Sequence, residues 1–310
     1  MADRRGVSLA HRRGRHRGRG GLPPAFHAAL GVVSRRRDTA VRILLLSAIT
    51  AAFLVPLLWT GLASLGVLPD NNSRPPSWTG PPTLQHFSEI GGAEPAFWQE
   101  LATSTTSALG AALITVTVSF LAAFGLARAR LPGDRSLTQV FLVLASLPAM
   151  AYVLPLSDLI RRLHLLDSFA TIVLAEAAVT APLAVFVLHG AIVQLPTEWE
   201  EAAVLDGAGL LRVLARVVLP LIAPSVAATA IVVFVLDWNM LLVPLVLTSG
   251  EVKTVPVAMS DFFTFERELE WPTAAAALMV SLVPLAVLVA LFHRVLERFT
   301  LQAPAGGDIG

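Results

Sequence analysis

Residues 196–220 read PTEWEEAAVLDGAGLLRVLARVVLP, a polar interruption between two strongly apolar segments. Thr197 and Glu200 stand at the spacing of a capping box, which predicts that a helix begins here. Gly207 follows the acidic turn and suits the left-handed position after a helix C-terminus. A second helical run extends over 210–219, and Pro220 suits the start of a further helix. The segment therefore predicts two short helices joined by a glycine turn.

The composition around this segment is that of an integral membrane protein. Of the 310 residues, 55% are hydrophobic and only 15% are charged, and a soluble chain of this length could not bury so much apolar surface. A membrane-spanning helix needs about 20 apolar residues to cross the hydrocarbon core, and a lone segment in lipid must be helical to satisfy its own backbone. The six segments that qualify are 43–68, 101–127, 137–160, 169–194, 221–247 and 273–292. The predicted fold class is all-α, with six transmembrane helices and prolines accommodated as kinks.

The distribution of positive charge predicts the orientation of the spans. Residues 1–42 form a basic tail with eleven arginines, which we expect to be disordered because it has few apolar residues. If this tail is cytoplasmic, 18 of the 23 Lys and Arg residues lie inside and 5 outside, and without the tail the difference is 7 against 5. This agrees with the positive-inside rule. We expect a multi-pass protein of the cell membrane whose N-terminus, segment 196–220 and short C-terminal tail (301–310) are cytoplasmic.

The polar segment resembles the EAA motif of ABC importer permeases. Glu201-Ala202-Ala203, three further residues, Gly207, nine further residues and then Val217-x-Leu219-Pro220 reproduce its spacing. We therefore call residues 196–220 the EAA loop. In that family the loop is a coupling helix that sits in a cleft of the cytoplasmic ATPase. The resemblance implies that the ATPase-coupling residues are Glu200, Glu201, Ala202, Ala203, Asp206, Gly207, Leu219 and Pro220.

A weaker resemblance extends over residues 41–306, to carbohydrate-importer permeases of the maltose-transporter second-subunit type. It depends on ordered short motifs, among them AAFGLAR at 122–128, WNMLLVPLVLT at 238–248 and KTVPVAM at 253–259. Met240 departs from the pattern, because relatives tend to have an acidic residue or glutamine there. The resemblance implies alternating access for a carbohydrate. It also implies three partners: a cytoplasmic ABC ATPase dimer, a second homologous permease subunit and an extracellular solute-binding protein.

Polar side chains within the predicted spans are candidates for the solute pathway, because such groups are costly in lipid and usually functional. They are Glu176, Asp237 and Asn239, together with the aromatic residues Tyr152 and Trp238. One interpretation is that they line a polar pathway and hydrogen-bond the hydroxyl groups of a sugar. The other is that they form hydrogen bonds between helices and hold the bundle together. The sequence leaves both open.

Several classes of chemistry have no support in the sequence. No G-x-x-x-x-G-K-[ST] loop is present, and Lys253 is the only lysine, so ATP hydrolysis requires a separate chain. The chain has no cysteine, and no zinc-binding pattern of histidines occurs, so we expect neither a metal nor a cofactor. An enzyme and a nucleic-acid-binding protein are disfavoured. Two alternatives remain: an ABC importer for a non-sugar solute such as a polyamine or phosphate, and a proton-coupled carrier that uses Glu176 and Asp237 as a relay.

Overall fold

The computed structural model describes residues 24–67, 69–70, 77–78, 81–92, 96–129, 134–148, 150–248, 252–261 and 271–300. Its contacts divide the chain into two units, Met1–Leu58 and Trp59–Gly310. Within the described residues, the first unit consists of the beginning of one long helix. The second unit contains the remaining helices and all the candidate functional residues.

The described part of the chain is almost entirely helical, which confirms the predicted all-α class. In chain order the helices are α1 (Pro24–Ser64), α2 (Gln85–Gly92), α3 (Ala96–Arg128), α4 (Asp134–Ala145), α5 (Met150–Arg162), α6 (Phe169–Val193), α7 (Glu198–Leu205), α8 (Leu210–Val213), a π-helical turn (Leu214–Val218), α9 (Leu219–Leu221), α10 (Ala223–Trp238), α11 (Leu242–Leu247), α12 (Val255–Asp261) and α13 (Trp271–Thr300). The only sheet in the described residues is an antiparallel ribbon of two-residue strands, β1 (Pro69–Asp70) and β2 (Ser77–Trp78).

Among the described residues, four helical segments are long and apolar enough to cross a membrane on their own. They are Val41–Ser64, Phe97–Arg128, Phe169–Val193 and Trp271–Phe292. Two bent helix pairs meet the same criteria together: Ser136–Ala145 with Met150–Arg162, bent by 89°, and Leu210–Leu221 with Ala223–Trp238, bent by 81°. Six spans result when each bent pair is counted as one, which agrees with the predicted number.

The third and fifth predicted spans differ from the structure because each is broken. Residues 137–160 form two helices, α4 and α5, and Pro148 lies in the break. Proline lacks an amide donor and disfavours helical geometry in the residue before it. The predicted span 221–247 is interrupted after Trp238, and α11 follows as a separate short helix. Pro244 lies inside α11 and could not donate the hydrogen bond that a continuous helix would require.

Helix α1 begins well before the first predicted span. It starts at Pro24 and so includes residues 24–42 of the basic tail, and the expectation of disorder in this tail stays a prediction. Proline is favoured at the first position of a helix, and the alanine and arginine residues that follow are good helix formers. Extending a helix that already exists also avoids the cost of a new nucleus. The expectations for residues 1–23 and 301–310 lie outside the described residues.

Helices α3, α6 and α10 form the centre of the second unit, and many of their buried residues are small. Ala108 and Ala111 of α3 and Ala184 of α6 have no exposed surface. Gly110 faces Val173 so closely that a Cβ at Gly110 would lie 3.3 Å from a Val173 methyl group. Small residues let membrane helices approach one another, which increases van der Waals contact where no hydrophobic effect acts between helices.

Hydroxyl groups add direct hydrogen bonds between α3 and α6. Thr115 donates to the carbonyl oxygen of Ala177 over 3.1 Å, and its hydroxyl also lies 3.2 Å from that of Thr180. One turn further along, the Ser119 hydroxyl donates to the carbonyl oxygen of Ala181 over 3.3 Å. Such bonds between membrane helices contribute about 0.6 kcal/mol each. The pair α3–α6 is therefore joined along its length by both packing and polar contacts.

Helix α2 lies at the end of the bundle opposite the EAA loop, where it contacts α13. The Glu89 carboxylate accepts hydrogen bonds from Gln85 of the same helix (2.9 Å) and from Thr273 of α13 (3.1 Å). His86 Nδ1 lies 3.1 Å from the same carboxylate. The hydrogen bond with His86, followed by those of Thr273 and Gln85, holds the pKa of Glu89 below its usual value despite partial burial. These contacts attach α2 to the first turn of α13.

The close approach at Gly110 gives a test of the α3–α6 packing. We expect Gly110→Val to lower the thermal stability of the detergent-purified protein, because Val173 occupies the space that the side chain needs. Gly125→Val on the same helix is the matched control, since nothing lies within 4 Å of a Cβ at that position. Fluorescence-detected size exclusion after heating measures both variants. Equal melting temperatures for the two would contradict the close packing.

Candidate functional site

The EAA loop folds as two helical segments joined by a turn, as the sequence predicts. The first is α7 (Glu198–Leu205), and the second runs from Leu210 to Leu221 through α8, the π-helical turn and α9. The chain then turns through 81° at Ile222 before α10 begins. The loop therefore continues directly into a membrane-spanning segment.

The turn between the two segments is a Schellman motif. Gly207 has a φ of +80°, which confirms the predicted left-handed conformation. The Gly207 amide donates to the carbonyl oxygen of Val204, and the Ala208 amide donates to that of Ala203, both over 2.9 Å. Nothing lies within 4 Å of a Cβ at Gly207, so the backbone conformation and not space is what favours glycine here.

The predicted capping box does not form. Thr197 has helical backbone angles (φ −69°, ψ −19°), and its side chain makes no capping hydrogen bond. Glu200 does not reach back to Thr197, because its carboxylate is bound by Arg128 at the end of α3. The guanidinium offers the carboxylate two charge-assisted bonds, from Nε and Nη2, in place of the single bond that the Thr197 amide could donate.

Arg128 joins three elements at one point. Its Nε donates to both carboxylate oxygens of Glu200 over 3.0 Å, and its Nη2 donates to one of them over 2.7 Å. Nη2 also donates to the carbonyl oxygens of Ile192 (3.2 Å) and Leu195 (3.1 Å) at the C-terminus of α6. The side chains of Arg128 and Glu200 are only 17% and 13% exposed. The residue pair therefore connects α3, α6 and α7, a role that the sequence analysis missed.

Apolar packing reinforces this connection underneath the loop. Ala203 and Ala208, the two ends of the Schellman turn, pack against a buried cluster. The cluster consists of Phe120 and Ala123 of α3, Leu188 and Ile192 of α6, and Val213, Leu214, Val218 and Ile222 of the second loop segment. A larger side chain than alanine at position 203 would displace α7 from these helices. The loop is thus held to the bundle by both polar and apolar contacts.

The opposite face of the loop is exposed and strongly apolar. Leu205 and Leu211 are 88% and 79% exposed, and Val204, Leu210 and Trp199 are also largely exposed. Of the predicted coupling residues, those that are exposed are Glu201, Ala202, Asp206, Gly207, Leu219 and Pro220, whereas Glu200 and Ala203 face the bundle. Five exposed apolar side chains in one short segment make it a candidate interaction surface.

A cavity of about 410 Å³ lies within the spans, between α4, α5, α6 and the break between α10 and α11. Two of the predicted pathway residues, Tyr152 and Asn239, line it, together with Thr180 and Met240. The Asn239 Nδ2 donates to the carbonyl oxygen of Val235 over 2.8 Å, and its Oδ1 has no partner among the described residues. The cavity therefore presents an amide, a phenol and a threonine on walls that are mostly apolar.

The other three predicted pathway residues lie behind this cavity. Trp238 is buried and stacks on Phe234, with ring centroids 5.9 Å apart and planes inclined by 23°. Glu176 and Asp237 are 1% and 3% exposed. They lie close together where α6 meets α10, with the hydroxyl groups of Ser107 and Thr180 beside them.

The two acidic side chains are incompletely satisfied. Glu176 Oε2 and both carboxylate oxygens of Asp237 have no hydrogen-bond partner among the described residues. Burying such groups without partners is costly, so this pair is a local exception in an otherwise satisfied interface between α6 and α10. No group of three His, Asp or Glu side chains that could hold a metal ion occurs in the described part of the chain.

Comparison with known proteins places this geometry in a family. Residues 115–302 match the family described as "Binding-protein-dependent transport system inner membrane component". The sulfoquinovosyl glycerol transport system permease protein SmoH of Agrobacterium fabrum is 30% identical over 256 residues, 82% of this chain and 88% of that protein. The trehalose transport system permease protein SugB of Mycobacterium tuberculosis is 32% identical over 248 residues, 78% of this chain and 88% of that protein.

A solved structure supports the fold. A chain of a bacterial ABC transporter involved in the import of the acidic polysaccharide alginate superimposes with a TM-score of 0.66 at 19% sequence identity. The match covers 84% of this chain and 97% of that one. The family model spans more than half of the chain, and the relatives match over most of their length. The chain therefore belongs to the family of inner membrane components of binding-protein-dependent transport systems.

Proposed function

We propose that the chain is a permease subunit of an ABC importer, that it forms half of the pathway for a carbohydrate, and that it couples to a cytoplasmic ATPase through the EAA loop. The observation that supports this most directly is the two-sided construction of the loop. One face is fastened to α3 and α6 through Arg128 and Glu200. The other face exposes Leu205 and Leu211 beside Glu201.

A fastened loop can transmit force from a partner to the spans. An ATPase that moves α7 also moves the ends of α3 and α6, because the bidentate pair and the packing of Ala203 and Ala208 leave little freedom between them. The second loop segment leads directly into α10. The ATPase is a separate chain in this proposal, and this subunit contributes no catalysis of its own.

The pathway proposal centres on Tyr152 and Asn239, which line the 410 Å³ cavity. That volume lies within the range of about 300–1,000 Å³ that is typical of small-molecule sites. An amide offers both donors and acceptors, which suits the hydroxyl groups of a sugar. In this proposal Glu176, Asp237 and Trp238 are not contact residues. They support the cavity wall from behind.

The class of solute follows from the relatives. Relatives that are 30% and 32% identical are named for transport of sulfoquinovosyl glycerol and trehalose. Another, from Escherichia coli, is 30% identical over 211 residues, 67% of this chain and 74% of that protein, and is named for sn-glycerol-3-phosphate. A polyhydroxylated solute is common to all three. Met240 makes one wall of the cavity apolar, which favours a neutral carbohydrate over a phosphorylated polyol.

The experiment that tests the function is purification of the native complex in mild detergent, followed by mass spectrometry of its proteins and of the solute it holds. We expect an ABC ATPase, a second permease chain and a neutral carbohydrate. A phosphorylated or amine solute would overturn the carbohydrate class and leave the permease assignment intact. A chain that purifies alone and transports without ATP would overturn the importer itself.

The proposed orientation places the N-terminus, the EAA loop and the C-terminus in the cytoplasm. The chain has no cysteine, so a single Ala202→Cys variant on the exposed face of α7 reports the side of the loop. We expect an impermeant maleimide to label it only after the cells are permeabilised. Labelling in intact cells would contradict both the orientation and the coupling role.

Leu205→Asp tests whether the exposed face of α7 binds the ATPase. A charge at this position should abolish association of the ATPase, because the residue is 88% exposed and belongs to the apolar patch. The control is Leu205→Met, which keeps an apolar side chain of similar volume. Co-purification of the ATPase from membranes with equal amounts of permease is the measurement. If both variants retain the ATPase equally, the patch is not its binding surface.

Arg128→Lys tests the connection between α3, α6 and α7. Lysine keeps the charge but cannot bridge both carboxylate oxygens and the α6 carbonyl groups at once. We expect a loss of about 1.5–3 kcal/mol in stability, which is the range for hydrogen bonds to a charged group, and a lower ratio of uptake to ATP hydrolysis. Arg212→Lys, on an exposed part of the same loop, is the control. Unchanged coupling in Arg128→Lys would show that the pair does not transmit force.

A further inference from the structure

A second cavity, of about 390 Å³, lies at the EAA-loop end of the spans. It is enclosed by the last turns of α3, the first turns of α4 and the last turns of α6. Its polar lining includes Gln139 of α4 and His189 of α6, and its apolar lining includes Phe186 and Val193 of α6. The sequence analysis assigned no role to these residues.

The two cavities lie along the same groove between α4 and α6. From α6, the first cavity takes Val179, Thr180 and Leu183, and the second takes Phe186, His189 and Val193. Steps of three and four residues keep side chains on one face of a helix. From α4, the first cavity takes Ala145 and the second takes Leu142, Gln139 and Thr138. Apart from Thr180, which lies on the opposite side of α6 from His189, one face of each helix therefore lines both cavities in succession.

Polar groups at the two ends of this groove are separated by an apolar step. Val179, in the lining of the first cavity, and His189, in that of the second, are ten residues apart, which is about 15 Å along a helix at 1.5 Å per residue. Leu183 and Phe186 occupy the space between them on α6, and Leu142 faces them from α4. A solute that leaves the first cavity along the groove would therefore pass these apolar side chains before it reaches polar groups again.

His189 and Gln139 are free to bind a ligand. His189 is half-buried and Gln139 is exposed, and neither side chain has a hydrogen-bond partner within the part of the chain that the structure describes. An imidazole and an amide together offer donors and acceptors to hydroxyl groups. The adjoining Phe186 ring presents an apolar face, which suits the C–H surface of a sugar ring.

We propose that the second cavity is a transient binding station for the transported carbohydrate on its way out of the bundle, with His189 and Gln139 as its hydrogen-bonding residues. The inference rests on the proposed function, since it adds a second site to that pathway. A station on an exit route must bind weakly enough to release the solute. Two polar groups, one from α4 and one from α6, in an open and partly apolar cavity fit that requirement better than a fully polar enclosure.

A lipid acyl chain is the competing occupant of a cavity at this depth. The solute is favoured because the cavity continues the groove of the first one. The polar pair would also leave an acyl chain facing two unsatisfied side chains. The two occupants predict different protection of a cysteine in the cavity, and the cysteine-free chain allows this to be measured directly.

The test uses the complete complex in nanodiscs, with Val193→Cys as the probe and Val187→Cys as the control. Both valines are exposed residues of α6, and only Val193 lines the cavity. The ligand is whichever sugar, from a panel of neutral mono- and disaccharides, the complex accumulates in proteoliposomes. We expect this sugar to slow maleimide labelling of Val193→Cys several-fold and to leave Val187→Cys unchanged.

The outcomes separate the station from the function itself. If no sugar in the panel is accumulated, the proposed function fails. If a sugar is accumulated but labelling is equally fast with and without it, the station is overturned and the importer stands. Labelling that responds to the acyl chains of the nanodisc and not to the sugar would assign the cavity to lipid.

As a second measurement, His189→Leu should lower uptake several-fold without changing ATPase association. Gln194→Leu, outside the cavity, should leave uptake unchanged.

Discussion

The bidentate pair between Arg128 and Glu200 is the contact on which the rest of the site depends. It joins the end of α3 to the end of α6 and the first turn of α7, which both lie more than 60 residues further along the chain. Because the side chains are mostly buried, water competes weakly for the hydrogen bonds. Without this pair the EAA loop would be attached only through the apolar cluster beneath Ala203 and Ala208. With it, the loop and the two helices form one mechanical unit.

The same helices connect the loop to the interior of the spans. α3 and α6 are held together by small residues and by the hydroxyl groups of Thr115 and Ser119. α6 then lines both cavities with one face, while its other faces contact α3 and α10. Motion applied at α7 therefore reaches the cavity walls through α6. Alternating access requires such a connection, because an ATPase can shift the population of two states only if it interacts differently with each.

The sequence predicted those features that depend on local or compositional signals. The all-α class and the number of spans follow from hydrophobic length, and the left-handed Gly207 follows from the turn that surrounds it. It failed where a distant residue decides the local structure. The sequence around Thr197 has the residues of a capping box, but the Glu200 carboxylate is bound by Arg128, which lies 72 positions away in the chain. Arg128 stands at the end of a long helix, where an arginine often binds carbonyl groups. The neighbouring sequence, however, does not indicate that Glu200 is its partner. The sequence likewise could not separate Asn239, in the cavity wall, from Asp237, two residues away and buried behind it.

The central claim is that the EAA loop moves together with α3 rather than as an independent arm. It is tested by the distance between spin labels on Leu113→Cys of α3 and Val204→Cys of α7, two exposed positions in a chain without native cysteine. The measurement uses the full complex, in a double variant that retains uptake, with and without bound ATP. The account predicts the same distance distribution in both states, because the Arg128–Glu200 pair keeps the two elements in one body. A shift of several ångströms in the mean distance on ATP binding would contradict the claim. It would show that the EAA loop moves relative to α3.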